Sequence, residues 1–88
     1  MGRKSLDEFL IHERERIFIA VNLSEANKAE EILKERDIEY AVNVEPYYRI
    51  SPFQSEHQGL AFYVKSEHAD FFRKVLEERG LGVGVVDI

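Results

Sequence analysis

Apolar and polar positions alternate with two different periods along the chain. Residues 17–22 are almost entirely apolar and rich in β-branched side chains, which is typical of a strand buried on both faces. Apolar residues then recur at helical spacing, and further on they alternate over residues 40–44. This passage predicts a strand, a helix and a second strand, and the apolar stripe of the helix consists of Ala26, Ala29, Ile32 and Leu33.

The second half of the chain repeats this pattern. Residues 17–42 align without a gap on residues 60–85, and the alignment pairs Val21 with Val64, Ala26 with Ala69 and Leu33 with Leu76. The second copy predicts a strand that Gly59 opens, a helix after it, and a last strand over residues 83–86. Two strand–helix–strand copies predict an α+β fold of the ferredoxin-like, split βαββαβ type. We expect a four-stranded antiparallel sheet with two helices on one face.

Polar and glycine residues mark the predicted ends of the two helices. Ser24 and Ser66 are suited to cap the helix N-termini. Asp37 and Gly80 stand at the helix exits, where a left-handed conformation is common. Upstream, residues 5–8 read S-x-x-E, a capping box that predicts a short extra helix at the N-terminus.

The repeat also predicts which strand residues face away from the helices. In this register the odd positions from Ile17 to Val21 point toward the helices, and an apolar set remains on the outer face. Contiguous apolar surface usually marks an interaction site. We therefore expect self-association, as a dimer or trimer, with the N-terminal helix as the alternative cover. The predicted interface consists of Phe18, Ala20, Ala61, Tyr63 and Val86.

Length and composition limit the remaining possibilities. The chain has 88 residues, which predicts a single domain over residues 1–88, and its 44% hydrophobic and 33% charged content is typical of a compact globule. It has no cysteine, which excludes disulfides and thiolate chemistry. No apolar run approaches the roughly 20 residues of a membrane span, and no signal peptide is evident, so we expect a cytoplasmic protein. The net charge of −5 disfavours nucleic acid as a partner.

No catalytic or metal site is predicted. His12, His57 and His68 fall in different elements, and no spacing typical of a zinc site occurs. The carboxylates of the helices belong to charged runs that are typical of a solvated face. Because the sequence offers no nucleophile beside a base and no cofactor motif, we expect a protein that is not an enzyme and binds no cofactor.

The candidate ligand-binding site is the long connection after the second strand of the repeat. Residues 45–58 contain both prolines and several aromatic residues, and connections of this length in a small domain are often functional. Tyrosine hydroxyls and a guanidinium can bind a carboxylate or a phosphate. In the alternative interpretation the tyrosines merely continue the strand and the arginine is simply exposed. The candidate ligand residues are Tyr47, Tyr48, Arg49, Phe53 and His57.

Two passages carry a family resemblance, AEEILKERDIEYAVNVEP and FYVKSEHADFFRKVLEERGL. With the connection between them, the chain resembles the PII and CutA-type (GlnB-like) superfamily and the small prokaryotic signal-transducing domains near it. The resemblance implies a ferredoxin-like fold and a non-catalytic regulatory module that senses a small molecule or a protein through residues 45–58. The CutA resemblance also implies an oligomer. The phosphate-binding glycine–lysine signature of PII proteins has no match here, so the resemblance does not extend to nucleotide binding.

A second resemblance leaves an alternative function open. IFIAVNL and QGLAFYVK are similar to the two strands of an RNA-recognition motif, whose sheet aromatics stack on bases. Gln58 and Lys65 depart from that motif, which has a cation at the first position and an aromatic residue at the second. The alternative is an RNA-binding domain that uses the sheet face, with Phe18 pointing outward.

Overall fold

The computed structural model describes residues 3–9, 11–47 and 57–86. Within these residues the chain forms one four-stranded sheet and two α-helices. The strands are β1 (Arg3–Lys4), β2 (Arg14–Ala20), β3 (Tyr40–Tyr47) and β4 (His57–Lys65). The helices are α1 (Leu23–Glu35) and α2 (Ser66–Leu76). Shorter helical turns cover Leu6–Glu8, Ile11–Glu13, Glu77–Leu81 and Gly82–Gly84.

The sheet order is β1-β3-β4-β2. β4 is antiparallel to both β2 and β3, whereas β1 is parallel to β3. The prediction of an α+β fold with four strands and two helices is therefore confirmed at that level, but the sheet is mixed rather than antiparallel. The fourth strand comes from the N-terminal residues and not from the C-terminal ones.

The predicted last strand is replaced by a turn. Residues 82–84 form a single 3₁₀ turn, and Val83 is 95% exposed. Val85 and Val86 pair with β2, through a bridge between Val85 and Phe18 and a 3.0 Å hydrogen bond from the Val86 N–H to the Ile17 carbonyl. Glycine at positions 80, 82 and 84 disfavours an extended strand, since each glycine loses much conformational freedom when it is ordered.

The N-terminal segment forms a short helix at the predicted capping box, but as a 3₁₀ helix of one turn. It forms one 3₁₀ turn over Leu6–Glu8, and the Ser5 backbone N–H donates a 2.7 Å hydrogen bond to the Glu8 carboxylate. Because β1 precedes this turn, the segment passes from the outer edge of β3 toward the start of β2.

The predicted apolar stripes of the two helices are buried, whereas the predicted N-cap residues are not the ones observed. All four stripe residues of α1 are buried, as are Ala69, Phe72, Val75 and Leu76 of α2. The cap of α1 is Asn22 rather than Ser24, and its side chain accepts a 2.9 Å hydrogen bond from the Glu25 N–H. Ser66 is the first residue of α2 and not its cap. Asp37 and Gly80 have the predicted positive φ angles, 54° and 86°. Neither α-helix combines the length and the apolar character that a membrane crossing requires.

A β-bulge in β2 reverses the predicted orientation of that strand. Arg16 pairs with Tyr63 and Phe18 pairs with Phe62, so Ile17 is an extra residue between two regular pairs. Beyond the bulge, Phe18 faces the same side as Phe62, whose ring centroid lies 6.0 Å away. The prediction that Phe18 and Ala20 point away from the helices is therefore wrong, since both belong to the core between sheet and helices.

Candidate functional site

The β3–β4 hairpin stays in register to its last described pair. Residue pairing begins with Ala41 and Tyr63 and continues without a shift to Tyr47 and His57. Two of the five candidate ligand residues thus lie opposite each other on neighbouring strands. Tyr48, Arg49 and Phe53 lie outside the described residues.

A polar cluster on the outer face of the sheet holds the first residue of the candidate segment. We call this the outer-face cluster, and it consists of Arg16, Asn43, Glu45 and Tyr63. The Glu45 carboxylate accepts hydrogen bonds from Arg16 Nη1 at 2.7 Å and from Asn43 Nδ2 at 2.9 Å. The Tyr63 hydroxyl donates a further short hydrogen bond to Glu45 Oε2. Glu45 is thereby fixed from β2, β3 and β4.

The ion pair of the cluster crosses β4 at a small residue, Ala61. β4 lies between β2 and β3, so an ion pair between Arg16 and Glu45 has to cross β4. Arg16 pairs with Tyr63 and Glu45 pairs with Gly59, and Ala61 lies midway between these two β4 residues. Ala61 has no exposed surface, although its face of the sheet is turned away from the helices. A larger side chain at position 61 would occupy the space that the ion pair crosses.

The environment shifts the pKa values of Glu45 and Tyr63 in opposite directions. Partial burial raises the pKa of Glu45, but the hydrogen bonds from Asn43, Tyr63 and Arg16 outweigh it, so the net pKa lies below its ordinary value. Burial, followed by the hydrogen bond to Glu45, raises the pKa of the Tyr63 phenol. At neutral pH Glu45 is ionised and Tyr63 is protonated. With three donors on its oxygens, Glu45 is suited to anchor the strand and not to exchange protons.

The N-terminal turn is attached beside this cluster through Arg14. The Arg14 guanidinium lies 5.6 Å from the centroid of the Tyr63 ring, a distance typical of a cation–π contact. Its Nη1 also donates hydrogen bonds to the carbonyls of Leu6, at 2.9 Å, and Phe9, at 3.3 Å. Phe9 is buried. The N-terminal segment, which the sequence offers as the alternative cover of the sheet, thus contacts the residues of this face.

The structure separates the predicted interface residues. Phe18 and Ala20 are core residues, as described above. Ala61 and Tyr63 do lie on the outer face, where Ala61 is fully buried and Tyr63 is half-buried. Val86 is half-buried beside β2, and its carbonyl accepts a hydrogen bond from Arg73. Self-association through this face stays a prediction, and it no longer involves Phe18 or Ala20.

The same findings change one part of the RNA-binding alternative, which otherwise stays a prediction. That alternative places Phe18 on the open face of the sheet, but the residue has no exposed surface.

Arg73 of α2 is a buried cation that the sequence analysis missed. Only 8% of the residue is exposed. Its Nε donates to the Val86 carbonyl at 2.6 Å, its Nη2 to the Arg16 carbonyl at 3.0 Å, and its Nη1 to the carboxylate of Glu15 at 3.0 Å. Nη1 also contacts the exposed carboxylate of Asp70 at 3.1 Å. Arg73 thus joins α2 to the β-bulge and to the C-terminal segment.

The outer-face cluster was missed as well, although β3 contains a signal for it. Tyr40, Val42 and Val44 alternate with the residues of the other face, and this alternation places Asn43 and Glu45 on the outer face beside Ala41. Their partner Arg16 has no such signal, because the bulge that follows it is invisible in the sequence. Position 73 gives no indication of burial, since it lies between the charged residues and the apolar stripe of α2.

Two surface cavities lie near the start of α2. A cavity of about 340 Å³ is lined by His12, Glu13, Lys65, Ser66 and Glu67. A second cavity, of about 280 Å³, is lined by Asp37, Ile38, Glu39, Lys65 and His68. Within residues 3–9, 11–47 and 57–86, no three histidine or acidic side chains come close enough together to hold a metal ion.

No protein-family model, no curated protein and no solved structure matches the chain.

Proposed function

We propose that the chain is a non-catalytic regulatory module that senses a ligand, a small molecule or a protein, through residues 45–58. The observation that carries this proposal is the hairpin register, which keeps Tyr47 and His57 paired at the two ends of the segment. A segment that leaves and re-enters the sheet on adjacent strands has both of its ends fixed by the same ladder of hydrogen bonds. Fixed ends lower the conformational entropy that the segment loses when a ligand binds.

The outer-face cluster supports the same function. Glu45 is the first residue of the segment, and its three hydrogen-bond donors come from all three long strands. The segment therefore begins at a residue whose side chain is held in one position. Arg49 and the tyrosines supply the chemistry that recognises an anion, so the proposed ligand carries a carboxylate or a phosphate group.

We infer a ferredoxin-like arrangement as the finer description of the fold. β2, α1, β3, β4 and α2 follow one another in the order that a split βαβ unit requires, and β4 lies between β2 and β3. The bridge between Phe18 and Val85 is on β2, where the final strand of such a unit would pair. In this interpretation the C-terminal segment is a shortened fourth strand, and β1 is an addition on the opposite edge.

We also propose that the protein self-associates as a dimer or trimer. Three apolar side chains support this, since Leu23, Val44 and Val83 are 73%, 62% and 95% exposed. Exposed apolar residues are stabilised when a second subunit covers them. Sedimentation equilibrium on the whole chain measures the subunit number, and a monomer at all concentrations would contradict this proposal without affecting the ligand-binding one.

Ligand binding is tested by thermal unfolding of the whole chain with inorganic phosphate, nucleotides and dicarboxylic acids. A ligand present at 100 times its Kd stabilises the folded state by about 2.7 kcal/mol, which is a clear rise in Tm for a chain of this size. We expect at least one anion to raise Tm in the wild type and in the control Arg79→Ala, and to do so much less in Arg49→Ala. The control removes an exposed arginine from the Glu77–Leu81 turn, which follows α2. An unchanged Tm across the panel, or equal effects on both variants, would contradict the proposal.

A further inference from the structure

In the part of the chain that the structure describes, two residues of the N-terminal segment pair with the outer edge of β3. Arg3 pairs with Tyr40 and Lys4 with Ala41 in a parallel ladder. After Lys4 the ladder ends, and the chain enters the 3₁₀ turn over Leu6–Glu8, which still contacts β3. β1 is thus a short extended segment laid against a much longer strand.

Two acidic residues receive the side chains of β1. Arg3 donates to Glu30 Oε2 of α1 through Nη2 at 2.8 Å and Nε at 3.2 Å. The Lys4 ammonium lies 3.3 Å from the Glu39 carboxylate, just before β3. The edge therefore presents one carboxylate to each of two successive cations in an extended segment.

Glu30, which binds Arg3, is held more firmly in place than Arg3 itself. The Tyr40 hydroxyl donates a 2.7 Å hydrogen bond to the same Glu30 oxygen, and Tyr40 itself has no exposed surface. By contrast, 59% of the Arg3 side chain is exposed, against 18% of the Glu30 side chain. Exposed ion pairs contribute little to stability, so the hold on β1 is weak.

The rest of the β3 edge continues past the reach of β1. β3 extends to Tyr47, and among the residues that the structure describes only Arg3 and Lys4 pair with its outer edge. Pro46 has no backbone N–H to offer, a feature common in edge strands. Residues 42–45 remain as further backbone on which an added strand can pair.

We propose that the outer edge of β3 is a docking site for an extended basic segment of another protein, and that Arg3–Lys4 is its intramolecular occupant. The incoming segment would run parallel to β3, with two successive cations at Glu30 and Glu39. The segment would make the same two ion pairs that β1 makes. It would also continue the ladder along residues 42–45, beyond the last residue that β1 pairs with. Recognition is by β-strand addition, in which the main chain supplies affinity and the side chains supply specificity. This site lies outside the anion-binding chemistry proposed for Arg49 and its neighbours.

The test uses a fluorescently labelled peptide of sequence Arg-Lys-Val-Thr-Val-Thr and the full-length chain. The double variant Arg3→Ser/Lys4→Ser removes the internal competitor's charges, and the control Lys28→Ser/Lys74→Ser removes the same charge from exposed positions of α1 and α2. We expect the peptide to bind the first variant about fivefold more tightly than the wild type, because two exposed ion pairs no longer compete. The control should bind like the wild type. Amide exchange should slow at residues 42–45 when the peptide is bound.

Several results would overturn the proposal. These are no binding of the peptide to any form, equal affinity for all three forms, or equal binding of a Glu-Glu-Val-Thr-Val-Thr peptide. A subunit number that falls in Arg3→Ser/Lys4→Ser would also overturn it, since the edge would then pair with a second copy of the chain. If circular dichroism finds the double variant unfolded, Lys4→Ser replaces it, with an expected gain of about twofold.

Discussion

Gly84 packs against Phe18 so closely that the chain has no room for a Cβ atom between them. A Cβ built on Gly84 would lie 2.8 Å from the Cζ atom of the Phe18 ring and 2.8 Å from the Ile19 carbonyl oxygen. Both neighbours belong to β2, and Phe18 is in the core. The C-terminal segment can therefore approach β2 only because position 84 is glycine.

Gly84→Ala is expected to destabilise the fold by about 1–3 kcal/mol, the usual cost of forcing an extra carbon into a packed region. The matched control is Gly82→Ala, where the nearest atom to an added Cβ is the Glu77 Cγ at an ordinary 3.6 Å. Urea unfolding of the two variants measures the difference in free energy. Equal stabilities would mean that the C-terminal segment does not rest on β2 in solution.

The stability that Glu45 contributes is expected to depend on pH. Its pKa in the folded chain is below the ordinary value of 4.5, so the contribution is complete above that value and is lost as the pH falls through the folded-state pKa. At neutral pH Glu45→Gln should lower the unfolding free energy by about 1.5–3 kcal/mol, the range for hydrogen bonds to a charged group. The difference in unfolding free energy between wild type and variant should become smaller as the pH falls below the folded-state pKa. Glu31→Gln, on the exposed side of α1, is the control, and a gap that is constant with pH would contradict the prediction.

The sequence predicts the helices well because a helical stripe is a long and repeated signal. The burial of Ala26, Ala29 and Leu33 follows directly from their spacing, and the second copy has the same stripe. Asp37 and Gly80 are predicted equally well, since few other residue types adopt a positive φ angle so readily.

The orientation of β2 could not be predicted, for a physical reason. Residues 17–20 read Ile-Phe-Ile-Ala, so either face of the strand could be buried, and alternation carries no information. A single extra residue at Ile17 moves Phe18 and Ala20 to the core side. The bulge is held by the guanidinium of Arg73, which is 57 positions away along the chain from Arg16. Such a long-range contact leaves no local pattern.

The phenol of Tyr40 is expected to titrate far above the usual range. Burial, and then the hydrogen bond to Glu30, raises its pKa to about 12 from an ordinary value of 10.0. Because the folded-state pKa is raised, the contribution of this phenol to stability is complete below pH 10.0 and is lost as the pH rises toward 12. An alkaline titration followed by phenolate absorbance should contain a step near pH 12 that is missing from Tyr40→Phe. A titration with no such step in the wild type would contradict the buried hydrogen bond.

Tyr40→Phe also tests the attachment of β1. Loss of the hydroxyl should cost about 0.5–1.5 kcal/mol, the net contribution of one hydrogen bond. In the wild type Glu30 accepts hydrogen bonds from both Arg3 and Tyr40, and in the variant it keeps only Arg3 of these two. Added salt should therefore weaken the Arg3–Glu30 ion pair more in the variant than in the wild type.

Arg73 is expected to be the most sensitive charged residue of the described chain. Arg73→Met removes the donors of the Val86 and Arg16 carbonyls and leaves Glu15 without this cation, and a buried acceptor left without its donor typically costs about 1–3 kcal/mol. Arg73→Lys should recover only part of this, because one ammonium cannot reproduce the forked geometry of a guanidinium that donates in three directions. The control is Arg79→Lys, at an exposed residue whose partner Glu35 is also exposed, and it should change stability by less than about 0.5 kcal/mol.

Amide exchange separates a local from a global effect, since the Val86 N–H bonded to Ile17 should exchange faster in Arg73→Lys even where the core strands remain protected. Equal unfolding free energies for Arg73→Lys and Arg79→Lys would show that the C-terminal segment and the bulge hold together without this side chain.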